Sequence, residues 1–422
     1  MRRDGLKMEA WERERRMKWW HEARFGMLVV YGLHSHPRFL GAEQMYWERI
    51  PVKEYEKLTR QFKPRWDAAR SWAALAKKAG MKYLVLVAKH DDGYCLWDTE
   101  QTEFNSVKAG PNRDLVRECV AACREFGLRA GIYFNLNDWR DPDCVRAAKS
   151  GRARRRYLDF VQGCVRELMS NYGKVDILWY DYPAALRTPE LWESRKMNRM
   201  VRELQPEIII NNRSMLPEDF GTPEGHITAQ DCAWESCMTL TGTGIWGWRW
   251  EPEEDWASPR AIVEMIRQAT SGGGNLLLDF GPKPDGTPPD MVEERLLEVG
   301  KWLKGNEEAV YGLADRVGRD SFHPWIPYGK WTLKGKVAYF WCRHWRGRKL
   351  VIVDERTRVK RASLLKTGRS VEFHWEPGKL VLVGLPERDP DPIAHTTVFR
   401  IEFERQPKRV PDHGYPLVWC GQ

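Results

Sequence analysis

Residues 82–97 read KYLVLVAKHDDGYCLW, a short apolar run that ends abruptly in charged side chains. The run Tyr83–Ala88 shows no alternation of apolar and polar residues, which is typical of a parallel strand covered on both faces. An amphipathic helix pattern precedes it at Asp67–Ala79 and ends at Gly80, and another follows at Asp114–Phe126. A strand between two helices predicts a βαβ unit and hence a parallel sheet.

The same alternation of apolar runs and helix patterns extends over residues 1–315. Further helices are predicted at Pro189–Leu204 and after the N-capping pair Ser258-Pro259. The other strands predicted in this region are Phe25–Tyr31, Arg129–Phe134, Val175–Tyr180, Glu207–Asn211 and Leu276–Phe280. Repeated βα units over about 300 residues favour an α/β fold in which a TIM-like (β/α) barrel closes on itself.

Residues 316–422 show strand patterns without helix patterns. The predicted strands are Val337–Cys342, Leu350–Val353, Ser363–Lys366, Val371–Trp375, Leu380–Val383 and Thr397–Phe403. Turn residues such as the pair Pro377-Gly378 separate them. We therefore expect a catalytic barrel domain at 1–315, followed by a C-terminal antiparallel β-sandwich domain at 316–422.

The composition excludes several classes of protein. With 12% aromatic residues the chain is too apolar to be disordered, and no apolar run approaches the ~20 residues of a membrane span. The net charge of +9 is dispersed except for an arginine run at 152–156, which begins a helix pattern. We therefore expect no membrane and no nucleic-acid partner. Dispersed cysteines and an N-terminus without a signal segment predict a cytoplasmic protein.

Tryptophan occurs 22 times, which is unusually often. Indole rings offer flat surfaces on which the apolar faces of sugar rings can stack. A tryptophan-rich core would account for the same composition, and both interpretations stay open at this point.

Candidate catalytic groups follow from the barrel, because its active sites form at the carboxyl ends of the strands. Asp181 directly follows the apolar segment 177–180 and is a candidate nucleophile, although a role in capping the next loop is also compatible. Asp176 lies at the opposite end of the same strand and is expected to be structural. Glycoside hydrolysis requires a second carboxyl group, for which Glu224 and Glu235 are candidates.

Many segments share one family pattern in order along the chain. They are FG (25–26), AKHDDGYCLW (88–97), FNSV (104–107), GPNRDLV (110–116), LWYD (178–181), NNR (211–213), WESCMT (234–239), WGW (246–248), GGNLLL (273–278), GPKPDG (281–286) and GKWL (300–303). Together they resemble the retaining α-L-fucosidases of glycoside hydrolase family 29, and the resemblance extends from about residue 17 to 312. That family has a barrel followed by a β-sandwich.

The resemblance assigns roles position by position. It implies that Asp181 is the nucleophile and Glu224 the acid/base, with Glu235 as the runner-up for the second role. The implied substrate-binding residues are His90, Asp91, Tyr133, Trp179, Arg213, Glu235 and Trp246. The resemblance implies no metal and no organic cofactor.

Three sugar-contact positions depart from the family pattern. Val30-Tyr31 replaces a His-Trp pair, His90-Asp91 replaces His-His, and Gln44-Met45 stands where a Glu-Trp pair is usual. His34 and His36 could replace lost contacts, although solvated loop histidines are the simpler expectation.

The sequence therefore predicts a retaining exo-glycosidase of the α-L-fucosidase type, acting on a terminal α-L-fucoside or a related sugar such as an L-galactoside. The expected partner is a glycan or glycoside substrate, and a homo-oligomer is possible. The alternative is a catalytically weak carbohydrate-binding protein on the same fold, which the altered contact positions would explain.

Overall fold

The computed structural model describes residues 2–241, 244–248, 255–313, 327–353 and 357–407, with side chains from residue 11 onward. The helices are α1 Arg2–Ala23, α2 Gln44–Trp47, α3 Val52–Glu56, α4 Ala68–Lys78, α5 Leu115–Glu125, α6 Pro142–Arg146, α7 Gly151–Ser170, α8 Ser194–Leu204, α9 Pro259–Ser271 and α10 Asp290–Leu303. The first seven strands are β1 Phe25–Val29, β2 Tyr83–Lys89, β3 Arg129–Asn135, β4 Ile177–Asp181, β5 Ile209–Ile210, β6 Glu235–Met238 and β7 Asn275–Phe280. The others are β8 Gly329–Lys334, β9 Val337–Cys342, β10 Leu350–Val353, β11 Val359–Leu364, β12 Glu372–Glu376, β13 Lys379–Val383 and β14 Thr397–Phe403.

The first seven strands form one parallel sheet in the order β5-β4-β3-β2-β1-β7-β6. The six strands expected in this region are confirmed, with small differences at their ends. Helix α8 begins at Ser194, later than the expected Pro189, because Glu193 has a left-handed backbone (φ 52°) that interrupts the helical pattern.

The sheet is curled, because inward-facing side chains from all seven strands share one apolar cluster. Its members include Leu28, Val85, Tyr133, Trp179, Ile209, Cys237 and Leu277. Helix α1 packs against the end of the sheet where the strands begin: it contributes Met17, Trp20 and Ala23 to the cluster. The side chain of Asn275, the first residue of β7, donates to the Trp20 carbonyl at 2.9 Å. The helices pack on the outer face around a second, larger core.

A segment without regular strand structure lies between the two edge strands of this sheet. Isolated parallel bridges join Asn211 to Phe220, Gly221 to Trp234 and Glu224 to Cys237. Residues 220–224 therefore connect the β5 edge to the β6 edge, and they bring Glu224 next to the sheet.

Strand β6 was not predicted, because its sequence ESCM lacks an apolar run. Glu235 and Ser236 are nevertheless completely buried. Their polar groups find partners inside the protein, which the local sequence does not reveal.

Beyond the parallel sheet, the chain forms two antiparallel sheets with strand orders β10-β13-β12 and β11-β14-β9-β8. They enclose their own apolar core, which includes Trp331, Phe340, Leu380 and Phe399. The strand β8 was not predicted, and the expected boundary at residue 315 lies outside the described residues. Trp302 of α10 packs against Trp341 of β9, with ring centroids 5.3 Å apart, and so connects this part to the helices.

No helix in the described ranges is both long enough and apolar enough to cross a membrane.

Candidate active site

A cavity of about 270 Å³ lies at the carboxyl ends of the strands. All but one of the residues predicted from sequence to act in catalysis or sugar binding line it: His90, Asp91, Tyr133, Trp179, Asp181, Arg213, Glu224 and Trp246. Leu28, Val30, Glu43, Val87, Tyr182 and Cys237 complete the lining.

A larger cavity of about 500 Å³ lies near the opposite end of the sheet, against α1. Its buried carboxylate, Asp219, is engaged by the guanidinium groups of Arg16 at 2.9 Å and Arg202 at 2.8 Å. The charge of Asp219 is thus neutralised within the protein.

Asp181 is the last residue of β4. Side chains alternate between the two faces of a strand, so Asp181 lies on the same face as Ile177 and Trp179. One carboxylate oxygen accepts a hydrogen bond from the Tyr133 hydroxyl at 2.5 Å. The other accepts from the Arg213 guanidinium and from the Tyr182 amide, the latter at 2.7 Å. Tyr182, whose amide donates to Asp181, has a left-handed backbone (φ 45°). Non-glycine residues seldom adopt this conformation. These three donors fix the orientation of the Asp181 carboxylate.

The Tyr133 hydroxyl stays a proton donor in this setting. Burial, followed by the negative charge of Asp181, raises the pKa of Tyr133 well above its ordinary value. The hydroxyl therefore remains protonated and keeps its hydrogen bond to Asp181.

Arg213 connects the two predicted catalytic carboxylates. Its Nη1 donates to Asp181 and its Nη2 to Glu224, while Nε donates to the Thr222 hydroxyl at 2.9 Å. Burial alone would lower the pKa of Arg213, but the charges of Asp181 and Glu224 outweigh it and raise the pKa above its ordinary value. Because one guanidinium contacts both carboxylates, the two groups must lie close together across the cavity.

The two carboxylates differ in their access to water. The Glu224 side chain is 38% exposed, whereas the Asp181 side chain is 18% exposed. An acid/base must exchange protons with water during each reaction cycle, so the more exposed position suits that role.

A stack of planar groups lines one side of the cavity. The ring centroids of His90 and Tyr133 are 6.0 Å apart and those of Tyr133 and Trp179 5.5 Å apart, with nearly parallel planes. The Arg213 guanidinium lies 5.1 Å from the Trp179 ring centroid. The stack therefore links Tyr133 and Arg213, the two side-chain donors to Asp181, through the Trp179 ring. The fully buried tryptophans, Trp179 included, belong to the two apolar clusters of the sheet and helices, as a tryptophan-rich core predicts. Stacking of a sugar on an indole ring stays a prediction.

Glu235 is the predicted site residue that the structure places elsewhere. It is fully buried beneath the cavity, where it accepts hydrogen bonds from the Trp179 indole at 3.1 Å and from the Tyr83 hydroxyl. It therefore cannot reach a substrate, and the predictions of Glu235 as a substrate contact and as the alternative acid/base are wrong. The sequence misled because the polar segment around Glu235 suggests a loop, whereas it forms the buried strand β6.

Burial raises the pKa of Glu235 to about 7, although hydrogen bonds from Tyr83 and Trp179 oppose the rise. In the unfolded chain the pKa is that of an ordinary glutamate, so the folded state favours the protonated form. Its contribution to stability is complete below the unfolded pKa and is lost as the pH rises through about 7.

We therefore predict that the stability difference between wild type and Glu235→Gln, which cannot titrate, depends on pH. The free energy of unfolding of wild type relative to the variant should fall by about 3 kcal/mol between pH 4.5 and 8. Urea unfolding of both proteins at several pH values measures this difference. A difference that does not change with pH would contradict the perturbed pKa.

The altered contact positions are only partly as predicted. Val30 lines the cavity, as predicted. Met45 is instead buried in the larger core on the outer face of the sheet, and Glu43 lines the cavity where the Gln44-Met45 pair was expected. The Glu43 carboxylate accepts a hydrogen bond from the Trp47 indole at 3.0 Å. A single sequence offers no signal for which residue of this segment reaches the cavity.

His34 is buried, which contradicts the simpler expectation of a solvated loop residue. Its ring lies 5.5 Å from that of His90, and its Nδ1 lies 3.8 Å from the Asp92 carboxylate. His36 is partly exposed, and its ring pairs with Gln61 at 3.1 Å.

The adjacent pair His90 and Asp91 presents an unusual electrostatic environment. Burial, followed by the nearby His34, lowers the pKa of His90 to about 4, so its imidazole is neutral at neutral pH. Burial also raises the pKa of Asp91. Asp91 lines the cavity, and its Oδ1 is buried with no hydrogen-bond partner among the described residues.

Comparison with known proteins gives one consistent result. Residues 5–308 match the Alpha-L-fucosidase family. The tissue alpha-L-fucosidase of Bos taurus is 31% identical over 412 residues, covering 88% of this chain and 85% of that protein. Alpha-L-fucosidase isoenzyme 1 from Paenibacillus thiaminolyticus is 31% identical with a TM-score of 0.84, covering 93% of this chain and 100% of that one. The alpha-fucosidase of Thermotoga maritima, solved in complex with a mechanism based inhibitor, is 30% identical with a TM-score of 0.75, covering 91% and 96%. This chain therefore belongs to the alpha-L-fucosidase family, glycoside hydrolase family 29, and is a glycoside hydrolase.

Proposed function

We propose that the protein is a retaining exo-α-L-fucosidase that cleaves a terminal α-L-fucoside, or a closely related sugar, through a covalent glycosyl-enzyme. The observation that carries the proposal is the Arg213 guanidinium, which contacts both Asp181 and Glu224 at the edge of a small cavity. In retaining glycosidases the two carboxyl groups lie ~5–5.5 Å apart, which leaves no space for the water that an inverting enzyme activates. The mechanism based inhibitor bound to the Thermotoga maritima enzyme supports the same chemistry.

In the first step, Asp181 attacks the anomeric carbon and the glycosidic bond breaks, while protonated Glu224 gives its proton to the leaving oxygen. In the second step, Glu224 removes a proton from water, and the resulting hydroxide displaces Asp181 from the sugar. Arg213 stabilises the carboxylate form of both groups in turn, and Tyr133 holds Asp181 in line with the anomeric carbon.

The alternative, a carbohydrate-binding protein with weak catalysis, is not favoured. Such a protein would have no need to keep a nucleophile, an exposed acid and a bridging guanidinium in one cavity. The altered contact positions Val30 and Asp91 are better explained as changes in sugar preference.

The curled sheet and the bridging segment 220–224 support a closed (β/α) barrel as the platform of this site. The separate core of the two antiparallel sheets supports a C-terminal β-sandwich. We infer a division into domains at 1–315 and 316–422, for which a stable fragment ending near residue 313 after limited proteolysis would be the test.

A panel of nitrophenyl α-L- and β-D-glycosides tests the function. We expect turnover of α-L-fucoside or α-L-galactoside, and NMR of the fresh product should show the α anomer before mutarotation. A first-formed β anomer would exclude retention, and binding of sugars without turnover of any glycoside would favour the carbohydrate-binding alternative.

Specificity provides a further prediction, because an apolar Val30 and an acidic Asp91 replace imidazoles at the cavity. Each lost hydrogen bond to a buried hydroxyl costs about 1–3 kcal/mol, so the KM of wild type for a simple fucoside should be high. The double substitution Val30→His with Asp91→His should lower KM at least ~10-fold without a comparable change in kcat. A wild-type KM already as low as ~10 µM, within the common enzymatic range, would show the departures to be harmless.

A further inference from the structure

Glu235 is a buried carboxyl group that no step of the proposed reaction uses. It lies on β6 with no exposed surface, and its two oxygens accept hydrogen bonds from Tyr83 of β2 and Trp179 of β4. The Asn275 side chain of β7 approaches the Tyr83 hydroxyl at 3.5 Å. Among the described residues no lysine, arginine or histidine forms an ion pair with Glu235.

A carboxyl group without a cationic partner is costly to bury. The raised pKa of Glu235 reflects that cost. A residue that only completed the core could be apolar, as Leu277 and Val85 are in the same cluster. The distinctive feature of Glu235 is therefore its hydrogen-bond acceptors, one of which is directed at the indole N–H of Trp179.

Trp179 is central to the support of the nucleophile. Its ring packs against the Tyr133 ring on one side, and the Arg213 guanidinium lies 5.1 Å from its centroid. Tyr133 and Arg213 are the side chains that hydrogen-bond the two oxygens of Asp181. A shift of the indole would therefore displace both side-chain donors of the nucleophile together.

We propose that Glu235 is a positioning residue that anchors the Trp179 indole and thereby keeps Tyr133 and Arg213 in the geometry that orients Asp181. This inference rests on the proposed function, since it assigns Glu235 to the support of the nucleophile. It goes further by giving a residue outside the cavity a defined effect on the chemical step.

The test compares Glu235→Leu with Glu235→Gln in steady-state kinetics on nitrophenyl α-L-fucoside. Leucine leaves the indole N–H and the Tyr83 hydroxyl without an acceptor, so we expect kcat to fall about 10- to 100-fold, since small misplacements of catalytic groups have effects of this size. KM should change less than kcat, because every predicted sugar-contact side chain is still present, whereas attack on the anomeric carbon depends on the exact orientation of Asp181. Glutamine still accepts from the indole and donates to the Tyr83 hydroxyl, so it should restore kcat to within about threefold of wild type.

Glu167 provides a matched control. It accepts a hydrogen bond from the Trp97 indole at 3.0 Å, as Glu235 does from Trp179, but Trp97 does not line the cavity. Glu167→Leu should lower the melting temperature and leave kcat within twofold of wild type. An equal loss of kcat in both leucine variants, a loss confined to KM, or an unchanged kcat in folded Glu235→Leu would overturn the proposal.

Tyr83→Phe is the second variant, for the case that Glu235→Leu does not fold. It removes only the hydroxyl that holds the other oxygen of Glu235, and it keeps the shape of the ring. We expect kcat to fall about threefold or more with KM unchanged; a kcat equal to that of wild type would count against the proposal.

A readout without turnover separates this inference from the proposed function. In protein labelled with 5-fluorotryptophan, the ¹⁹F signal of Trp179 is identified by its loss in Trp179→Phe. Glu235→Leu should move the Trp179 signal and broaden it, while Glu167→Leu should not. If wild type hydrolyses no glycoside, the proposed function fails, whereas an unmoved and equally sharp Trp179 signal overturns the anchoring by Glu235.

Discussion

Replacing Asp181 with glycine should lower kcat for nitrophenyl α-L-fucoside by about 10⁴-fold or more, because the covalent intermediate of the proposed mechanism can then no longer form. The protein should remain folded, since the carboxylate lies at a strand end and at the cavity wall rather than in a core. Added azide should partly restore turnover, because a small anion fits the space left by the side chain and can attack the anomeric carbon. The azide product should have the β configuration, which NMR detects.

Asp176 offers a control within the same segment. It lies just before β4, where its carboxylate accepts hydrogen bonds from Arg129 at 2.9 Å and from the Ala130 amide at 3.1 Å. Asp176→Asn should reduce stability, leave kcat within twofold of wild type and show no response to azide. A glycine variant at position 181 that keeps near-native activity would show that another group is the nucleophile.

Replacing Glu224 with alanine should have an effect that depends on the leaving group. A general acid contributes about 10²- to 10⁴-fold where the leaving oxygen needs a proton, so cleavage of methyl α-L-fucoside should fall by at least ~10²-fold. Nitrophenolate leaves without protonation, and its first step should change much less.

Glu43 provides a comparison at the same cavity, since it also lines the wall but does not contact Arg213. Glu43→Gln should alter both substrates by the same factor, because a binding contact does not distinguish leaving groups. Equal losses for the two substrates in Glu224→Ala would remove Glu224 from the role of acid.

The sequence by itself predicted most of the parallel sheet and most of the cavity lining. Strands buried on both faces have nearly continuous apolar sequences, so β1 to β4 and β7 could be located from residue types alone. Because parallel strands end at the same edge of a sheet, the polar residues that follow them, such as His90, Asp181 and Arg213, were expected to converge. The structure places them around one cavity.

Only the tertiary structure shows how the two candidate acids differ in their surroundings. The family resemblance ranks Glu224 above Glu235, but the local sequence does not show which of the two is buried. Glu235 is buried because Tyr83, 152 positions away, and Trp179, 56 positions away, supply its hydrogen-bond donors. Glu224 is exposed because the segment 220–224 lies at the rim between two edge strands.

The same reason explains the other corrections. His34 is buried beside His90 and Asp92, and Glu43 rather than Gln44 reaches the cavity. Local sequence determines which segments can bury an apolar face, because that property depends on the periodicity of neighbouring residues. Whether a polar side chain ends in water, in a cavity or in the core depends on partners distant in the chain, and only the assembled fold specifies them.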